Sequence, residues 1–463
     1  MINKALQIRI SSKINKDRVM WPTAKMLLLY DKINKRELLG EYKKLLKNSP
    51  PDWNAIHEYQ RNCAQSILEY ATRNVPFYRN VLKEKHISPT DISPWEIINS
   101  LPIATKDLFR SNFDDFISDE YQNTKKIHFY YTGGSTGQPS RIAVDEHYMN
   151  FRWAMIYYNL TWIGYKLGDC HGFIYGSNLD AKEQCSLRQR GQHWLMNSFQ
   201  VNAFYFNNNN LKSFANRCLR KKPKFIIGFA SALIEFAKYV ENNNLSIQFD
   251  FVESTAEFLS GEAQQKIEEV FHCKVYNRYG CREVGNIAHE CIFRNGLHIN
   301  WQSVYVEIIN KGKYPWLGQE YGDIVITSLK NKGMPLIRYF VGDIGKIENA
   351  ACPCGMTSPR LYLGGFRSID ILYTTDGGMV SAAPLSLTTR DLYSIMKIQY
   401  VQKSLKYLEV NVVTDHADDN TIRTTLEGRL KNIFGNEMEI HFNFVDDIAR
   451  ELSGKYRLTK RLF

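Results

Sequence analysis

Apolar positions along the chain fall into two periodicities, and their alternation is the first thing the sequence says about its fold. From 146 to 270, short continuous apolar runs (HGFIYG, KFIIGF) alternate with segments whose apolar residues recur three and four apart (ASALIEFAKYVENN, GEAQQKIEEVFH). Buried strands followed by amphipathic helices predict a largely parallel sheet covered by helices. Upstream, Ile56, Tyr59, Cys63, Ile67, Leu68 and Ala71 predict one long helix in 53–85, ended by Asn74 and Pro76, and Thr105 is placed to cap a second helix in KDLFRSNF. Between Ile127 and Val144 the pattern is strand, Gly-rich loop, strand.

Farther on the character changes. VYVEII, DIVITSL, LIRYF and IGKIE read as strands separated by Gly or Asn turns, an antiparallel or barrel-like part. Beyond about 370, ILYTT, a DGG turn, a helix near 385–397, KYLEVNVVT, a helix near 420–433 and MEIHFNFV predict a small α+β domain. The expected division is a basic N-terminal extension (1–52), a large α/β body (53–369) and a small C-terminal domain (370–463). At ~150 residues per domain, 463 residues accommodate this.

Composition narrows the class. With 44% apolar and 23% charged residues, the chain is neither disordered nor fibrous. No run of ~18 uncharged apolar residues predicts a membrane span, and MINKALQIRISSK lacks the hydrophobic core of a secretory signal. Nine scattered cysteines, an odd number, fit reduced thiols and a cytoplasmic protein. Residues 1–48 hold twelve Lys or Arg against four Asp or Glu, so most of the formal +11 sits there. Met26–Leu29 and Leu38, Leu39, Leu45 and Leu46 lie between those charges, as in a pair of amphipathic helices packed on the body. Peripheral contact with an anionic membrane is the alternative. Nucleic-acid binding is disfavoured, because the charge is confined to this arm and no DNA- or RNA-binding motif accompanies it.

The chemistry begins at TGGSTGQP. Gly133, Gly134 and Gly137 let backbone N–H groups converge, and the hydroxyls of Thr132, Ser135 and Thr136 add donors, which makes an anion nest suited to phosphate; a polar hairpin turn is the plainer alternative. No Lys follows the last Gly, so this is not a Walker A loop. A second signal is Cys291 and His298 followed by Cys352 and Cys354, two close pairs of ligands of the kind a tetrahedral structural zinc takes. His289 competes with His298, and reduced cysteines in a turn compete with metal.

TGGSTGQP resembles the phosphate loop of the adenylate-forming enzymes, in particular their phenylacetate–CoA ligase and capsule-biosynthesis (CapK-like) branch. Further segments fall in that group's order: NVPFYR at 74–79, LPIATKDLFR at 101–110, SGE at 260–262, YGCREVG at 279–285, IRYFVGDIG and GGFRSIDIL between 337 and 372, and SGKYR at 453–457. The resemblance covers roughly 55–463. It implies ATP-dependent activation of a carboxylic acid to an acyl-adenylate, with pyrophosphate release, followed by acyl transfer to CoA. Transfer to an amine or hydroxyl on a sugar in surface-polysaccharide assembly, and a nucleotide-binding protein without turnover, are the alternatives.

The resemblance also implies roles. Ser135 and Thr136 would hold the β- and γ-phosphates, and Glu283 would hold Mg²⁺. Tyr279 and Gly280 would lie against the adenine, with Ser260, Gly261 and Glu262 on its other side. Asp343 would accept the ribose hydroxyls, Arg367 would meet ribose or phosphate, and Lys455 would reach the forming acyl phosphate from the mobile small domain. Phe173, Tyr175, Phe229 and Ala230 are candidate walls for the acid. Two positions depart from the group: Arg282 replaces a hydroxyl residue before the Mg²⁺ glutamate, and Phe366 stands where Gly commonly precedes the Arg.

Overall fold

The computed structural model describes residues 31, 37–47, 52–90, 92–122, 124, 126–132, 140–175, 191, 193–203, 207–367, 370–380, 382–389, 391–392, 394–414, 419–449 and 457–463. They divide into two compact units. One comprises the chain to Ile308 with Val325–Val341 and Ile347–Tyr362; the other comprises Ile309–Ile324, Gly342–Lys346 and Leu363–Phe463.

In the first unit, helix α1 (Leu38–Lys47) buries Leu39, Tyr42 and Leu45 and leaves Lys43, Lys44 and Lys47 in water, as its amphipathic pattern predicts. The partner helix expected around Met26–Leu29 lies outside the described residues. The long helix expected in 53–85 is two: α2 (Trp53–Asn74) and α3 (Pro76–Glu84). Pro76 has no N–H to continue the ladder and biases Val75 to an extended conformation (φ −118°), so it opens a new helix instead. Helices α4 (Pro94–Ser100), α5 (Lys106–Ser111) and α6 (Phe113–Phe116) follow. Thr105 caps α5, its Oγ1 accepting from the Leu108 N–H at 3.2 Å.

Strands β1 (Ile127–Thr132) and β2 (Ser140–Asp145) pair antiparallel with Thr132 opposite Ser140, the residues on either side of the Gly-rich stretch. Helix α7 (Glu146–Thr161) is capped by Asp145, whose Oδ1 accepts from the Tyr148 N–H. Then come β3 (His171–Tyr175), β4 (Ser198–Asn202), α8 (Asn208–Lys221), β5 (Phe225–Phe229), α9 (Ala230–Asn242), β6 (Phe251–Thr255), α10 (Gly261–Phe271) and β7 (Lys274–Cys281). These five strands are parallel, in the order β4-β3-β5-β6-β7. Ile174, Ile226, Val252 and Val275 from one sheet face pack with Phe214, Phe236, Phe271 and Ile267 of the helices in a single apolar core. Strand β5 is buried throughout, which explains its unbroken apolar sequence.

β8 (Gly285–Glu290) and β9 (Leu297–Ile299) extend the sheet antiparallel from β7. β10 (Val304–Ile309), β11 (Gly322–Ser328), β12 (Tyr339–Glu348) and β13 (Arg360–Arg367) belong to the same eleven-stranded sheet. LIRYF and IGKIE, expected as two strands, are one: Gly342 takes φ +86° and carries β12 through the place where a turn was expected.

In the second unit, β14 (Leu372–Tyr373) pairs with β15 (Met379–Val380) across the DGG turn, and α11 (Ala382–Leu387) follows. The expected helix over 385–397 stops early because β16 (Ile395–Ser404) begins there; its alternate positions Ile398 and Tyr400 are buried. β17 (Tyr407–Thr414), α12 (Asp419–Phe434), β18 (Glu439–Phe444) and β19 (Thr459–Arg461) complete a sheet ordered β18-β17-β16-β19. Tyr400, Leu408, Val410, Val412, Leu426, Leu430 and Phe434 form its core. Among the described residues no helix is long and apolar enough to cross a membrane.

Candidate active site

Glu283 follows β7, and the packing there is specific. A Cβ on Gly280 would lie 2.4 Å from the Gly285 carbonyl oxygen, so only glycine lets β7 and β8 close on each other at YGCREVG. Glu283 is 3% exposed. Its Oε1 accepts from the Tyr339 hydroxyl at 3.0 Å and lies 3.2 Å from the Lys106 ammonium. Burial pushes the carboxyl up, but the Lys106 charge and the hydrogen bonds outweigh it and hold Glu283 down at about 2. The group is therefore an ionised carboxylate in a water-poor setting, with Lys106 and Tyr339 on one oxygen and further hydrogen bonds to the Cys281 side chain and its own backbone. Lys106, the last residue before DLFR in the LPIATKDLFR segment, and Tyr339, from IRYFVGDIG, were in quoted motifs without a role; only the fold brings them to Glu283.

The remaining expected residues distribute as follows. Tyr279 and Gly280 lie in the last three residues of β7, which ends at Cys281, two residues before Glu283. Ser260 is the N-cap of α10, its Oγ accepting from the Ala263 N–H at 3.1 Å, so SGE forms the start of a helix. The irregular backbone after β6 lies earlier, at Ala256 with φ +67°, and there Glu257 accepts from the Ser231 N–H at 2.7 Å. Thr132 ends β1; Gly133, Gly134, Ser135, Thr136 and Gly137 lie outside the described residues. The foot of the β1–β2 pair is fixed from below, because Asp145 Oδ2 accepts from the backbone of Lys332 (2.8 Å) and Gly333 (3.2 Å). Within the second unit, Asp343 and Arg367 form an ion pair, Nε to Oδ1 at 3.0 Å. Lys455 and the Phe366 side chain lie outside the described residues.

The four expected zinc ligands converge. Donor atoms of Cys291, His298, Cys352 and Cys354 all lie within 4.8 Å of one another. Cys291 and Cys352 sulfurs are 3.7 Å apart, and His298 Nε2 is 3.3 Å from Cys354 Sγ. Ser358 Oγ meets His298 Nδ1 at 2.9 Å, the second contact that orients a ligating imidazole. The hydrogen bond from Cys354 is the largest influence on Cys291, holding its thiol down at about 4 against burial. His289, the competing ligand, is engaged elsewhere: Nε2 meets Glu253 Oε2 at 2.9 Å and Nδ1 meets the Glu290 carbonyl at 2.6 Å. Trp162 separates the two roles, its ring edge-on to both His289 and His298.

His289 belongs to a second buried charge cluster, formed with Glu253 of β6, Arg278 of β7 and Tyr175 at the end of β3. Glu253, fully buried, takes Arg278 Nε on Oε1 at 2.6 Å, and Arg278 Nη2 also donates to the Tyr175 hydroxyl. Burial opposes the Glu253 charge, yet Arg278 and His289 hold its carboxyl below the usual range. The Tyr175 ring lies 5.7 Å from Phe229 and 5.6 Å from Phe173, so three of the four candidate acid-pocket residues are neighbours.

Comparison with known proteins completes the picture. Residues 372–462 match the CapK C-terminal domain family. Protein CapK of Staphylococcus aureus is 26% identical over 422 residues, 87% of this chain and 89% of that one. These matches support a likeness to the CapK and phenylacetate–CoA ligase branch of the adenylate-forming enzymes. A phenylacetate-coenzyme A ligase of Thermus thermophilus is 23% identical over 321 residues, 66% of this chain and 69% of that one. Among solved structures, 2-hydroxyisobutyryl-CoA ligase in its postadenylation state with an acyl-AMP superposes with a TM-score of 0.66 over 88% of this chain and 89% of that one, at 18% identity. That likeness establishes the fold: a mixed α/β body with a small C-terminal domain.

Proposed function

We propose that the protein activates a carboxylic acid with ATP, forming an acyl-adenylate and releasing pyrophosphate, and then passes the acyl group to CoA. The observation that carries this reading is Glu283: a desolvated, ionised carboxylate just past the end of β7, held on one oxygen by Lys106 and Tyr339, three residues after Gly280. Its other oxygen suits Mg²⁺, which prefers carboxylate and phosphate oxygens and, when bound, offsets phosphate charge. The Thr132–Gly137 turn would take the β- and γ-phosphates, and Asp343, once released from Arg367, would take the ribose hydroxyls. Lys455 would offset charge at the α-phosphate during acid attack. CoA ligases among the relatives support CoA as acceptor.

ATP–pyrophosphate exchange across a panel of acids tests the first half-reaction, and acid-dependent loss of free CoA thiol tests the second. Exchange without CoA consumption would favour the second reading, a sugar-linked amine or hydroxyl as acceptor. Nucleotide binding without exchange would leave a binding protein.

Cys291, His298, Cys352 and Cys354 form a closed four-ligand set with a hydrogen-bonded histidine, the chemistry of a structural zinc. Metal analysis of protein prepared without chelator is expected to give one zinc per chain, lost in Cys352→Ser. Metal-free protein with unchanged thermal stability would remove the assignment.

A further inference from the structure

The carboxyl end of the parallel sheet presents an unusual mixture, where Phe229 joins the helix-packed core and Tyr175 packs against it. Tyr175 is the last residue of β3, Phe229 the last of β5 and Thr255 the last of β6; Arg278 lies opposite Thr255 on β7. In open α/β sheets ligands bind outside these strand ends. Arg278 and Tyr279 are adjacent on β7, so their side chains project to opposite faces. The nucleotide side assigned to Tyr279 is thereby separated from the side where Arg278, Tyr175 and Phe229 meet.

A pocket for a plain aryl or alkyl acid needs only the rings. The ring cluster here also holds a guanidinium whose placement is over-determined. Among the described residues, Arg278 donates through Nε to Glu253 and through one Nη2 hydrogen to Tyr175, and a guanidinium carries five N–H groups. Having accepted that bond, the Tyr175 oxygen still has its own hydrogen to donate. No described side chain receives it. Phe229 and Phe173 flank the phenol, so the donor is presented between apolar surfaces.

Charge then selects among oxygen-bearing groups. Arg278 and Glu253 neutralise each other at 2.6 Å within the fold. A second substrate carboxylate facing this pair would be a buried anion without a counter-charge, which is strongly unfavourable. A neutral acceptor oxygen satisfies the spare donors with no net charge. We infer that the acid activated by this protein carries an uncharged hydrogen-bond acceptor, a hydroxyl, ether or carbonyl oxygen on an apolar body, and that Tyr175 and Arg278 read it. This rests on the adenylation reading above and deepens it by naming the substrate class.

The test is ATP–pyrophosphate exchange with matched acids: phenylacetate against 3- and 4-hydroxyphenylacetate, butanoate against 2- and 3-hydroxybutanoate, and succinate as the diacid. At least one oxygen-bearing acid should exceed its unsubstituted partner in kcat/KM by tenfold or more, on the order of what a site built to bond a substrate hydroxyl achieves, and succinate should be the poorest four-carbon acid. Tyr175→Phe, which removes one oxygen and keeps the ring, should shrink that ratio at least about fivefold, chiefly by slowing the oxygenated acid. Arg278→Lys, which keeps the charge beside Glu253 but loses the fork, should shrink it as well. Equal rates within every matched pair, preference for succinate, or an unchanged ratio in Tyr175→Phe would overturn the inference while exchange itself upheld adenylation. Exchange with none of these acids, under conditions where ATP binds, would count against both.

Discussion

Two buried carboxylates in the first unit, Glu283 and Glu253, are built alike and finished differently. Each is desolvated, each would be pushed toward neutrality by burial alone, and each is held ionised by a neighbouring cation. Glu253 is closed: Arg278 takes one oxygen and His289 the other. Glu283 is less tightly closed: Lys106 and Tyr339 both approach Oε1, and its further hydrogen bonds are to the Cys281 thiol and its own backbone rather than to a second cation. A closed pair fixes strands and side chains in place, whereas a less closed one keeps a charge in reserve for something that is not protein. The same residue type thus meets two different sets of partners in one unit, at the middle of β6 and just after β7, and the proposed difference in role lies in what those partners are.

The largest effect should come from opening the closed site. Glu253→Gln removes the counter-charge of fully buried Arg278, and global stability should fall by about 3–5 kcal/mol, the cost of a broken buried pair, as read by urea titration. A loss below 1 kcal/mol would mean that Glu253 is not the structural member of the comparison.

Glu283→Gln should do the reverse. Its fold should persist, since Tyr339 can still donate to the amide oxygen, while pyrophosphate exchange drops about 10²–10³-fold, the scale for losing one well-placed electrostatic group. If stability collapsed and residual folded protein kept full exchange, the roles assigned to the two carboxylates would be inverted. Tyr339→Phe sharpens the contrast by removing one hydrogen bond to the charge. Such bonds contribute about 1.5–3 kcal/mol, so exchange should weaken by roughly tenfold and the acidic limb of its pH profile should move upward, because Glu283 loses a contact that favours its ionised form.

A buried group held neutral supplies the smallest effect, invisible near pH 7. His171 is fully buried, stacked on Phe225 at 4.9 Å, and burial lowers its pKa from 6.5 to about 4. The unfolded chain takes up a proton in that window and the folded one does not, so stability is intact above pH 6.5 and declines as the pH falls toward 4. Glu283 adds its own loss lower down, between its ordinary value of 4.5 and about 2. His171→Gln should flatten the stability slope between pH 6.5 and 4 and leave the lower limb in place. Guanidinium unfolding at half-unit pH steps separates the two limbs.

How much of this was legible beforehand follows from the range of each interaction. The parallel strands, the two strands flanking the Gly-rich stretch, the Thr105 cap and the small α+β domain were readable because periodicity and capping are local. The errors were local too, at places where one residue overrides a pattern: Pro76 divided a helix, Gly342 joined two strands, and β16 displaced the end of a helix expected to reach 397. The choice of His298 over His289 was not legible. Both spacings suit a metal, and only the Glu253 contact shows that one imidazole is already committed.

By itself, the sequence determined the order of elements and the inventory of chemical groups, including the phosphate-loop glycines, the YGCREVG glutamate and the two Cys/His pairs, since these depend on residue type and on neighbours a few positions away. The tertiary structure decided which groups meet: Lys106 and Tyr339 at Glu283, Arg278 and Tyr175 at Glu253, four ligands around one point. Those pairings join distant stretches of chain, and their strength comes from burial and from the number of partners around each charge, quantities that exist only once the sheet has formed.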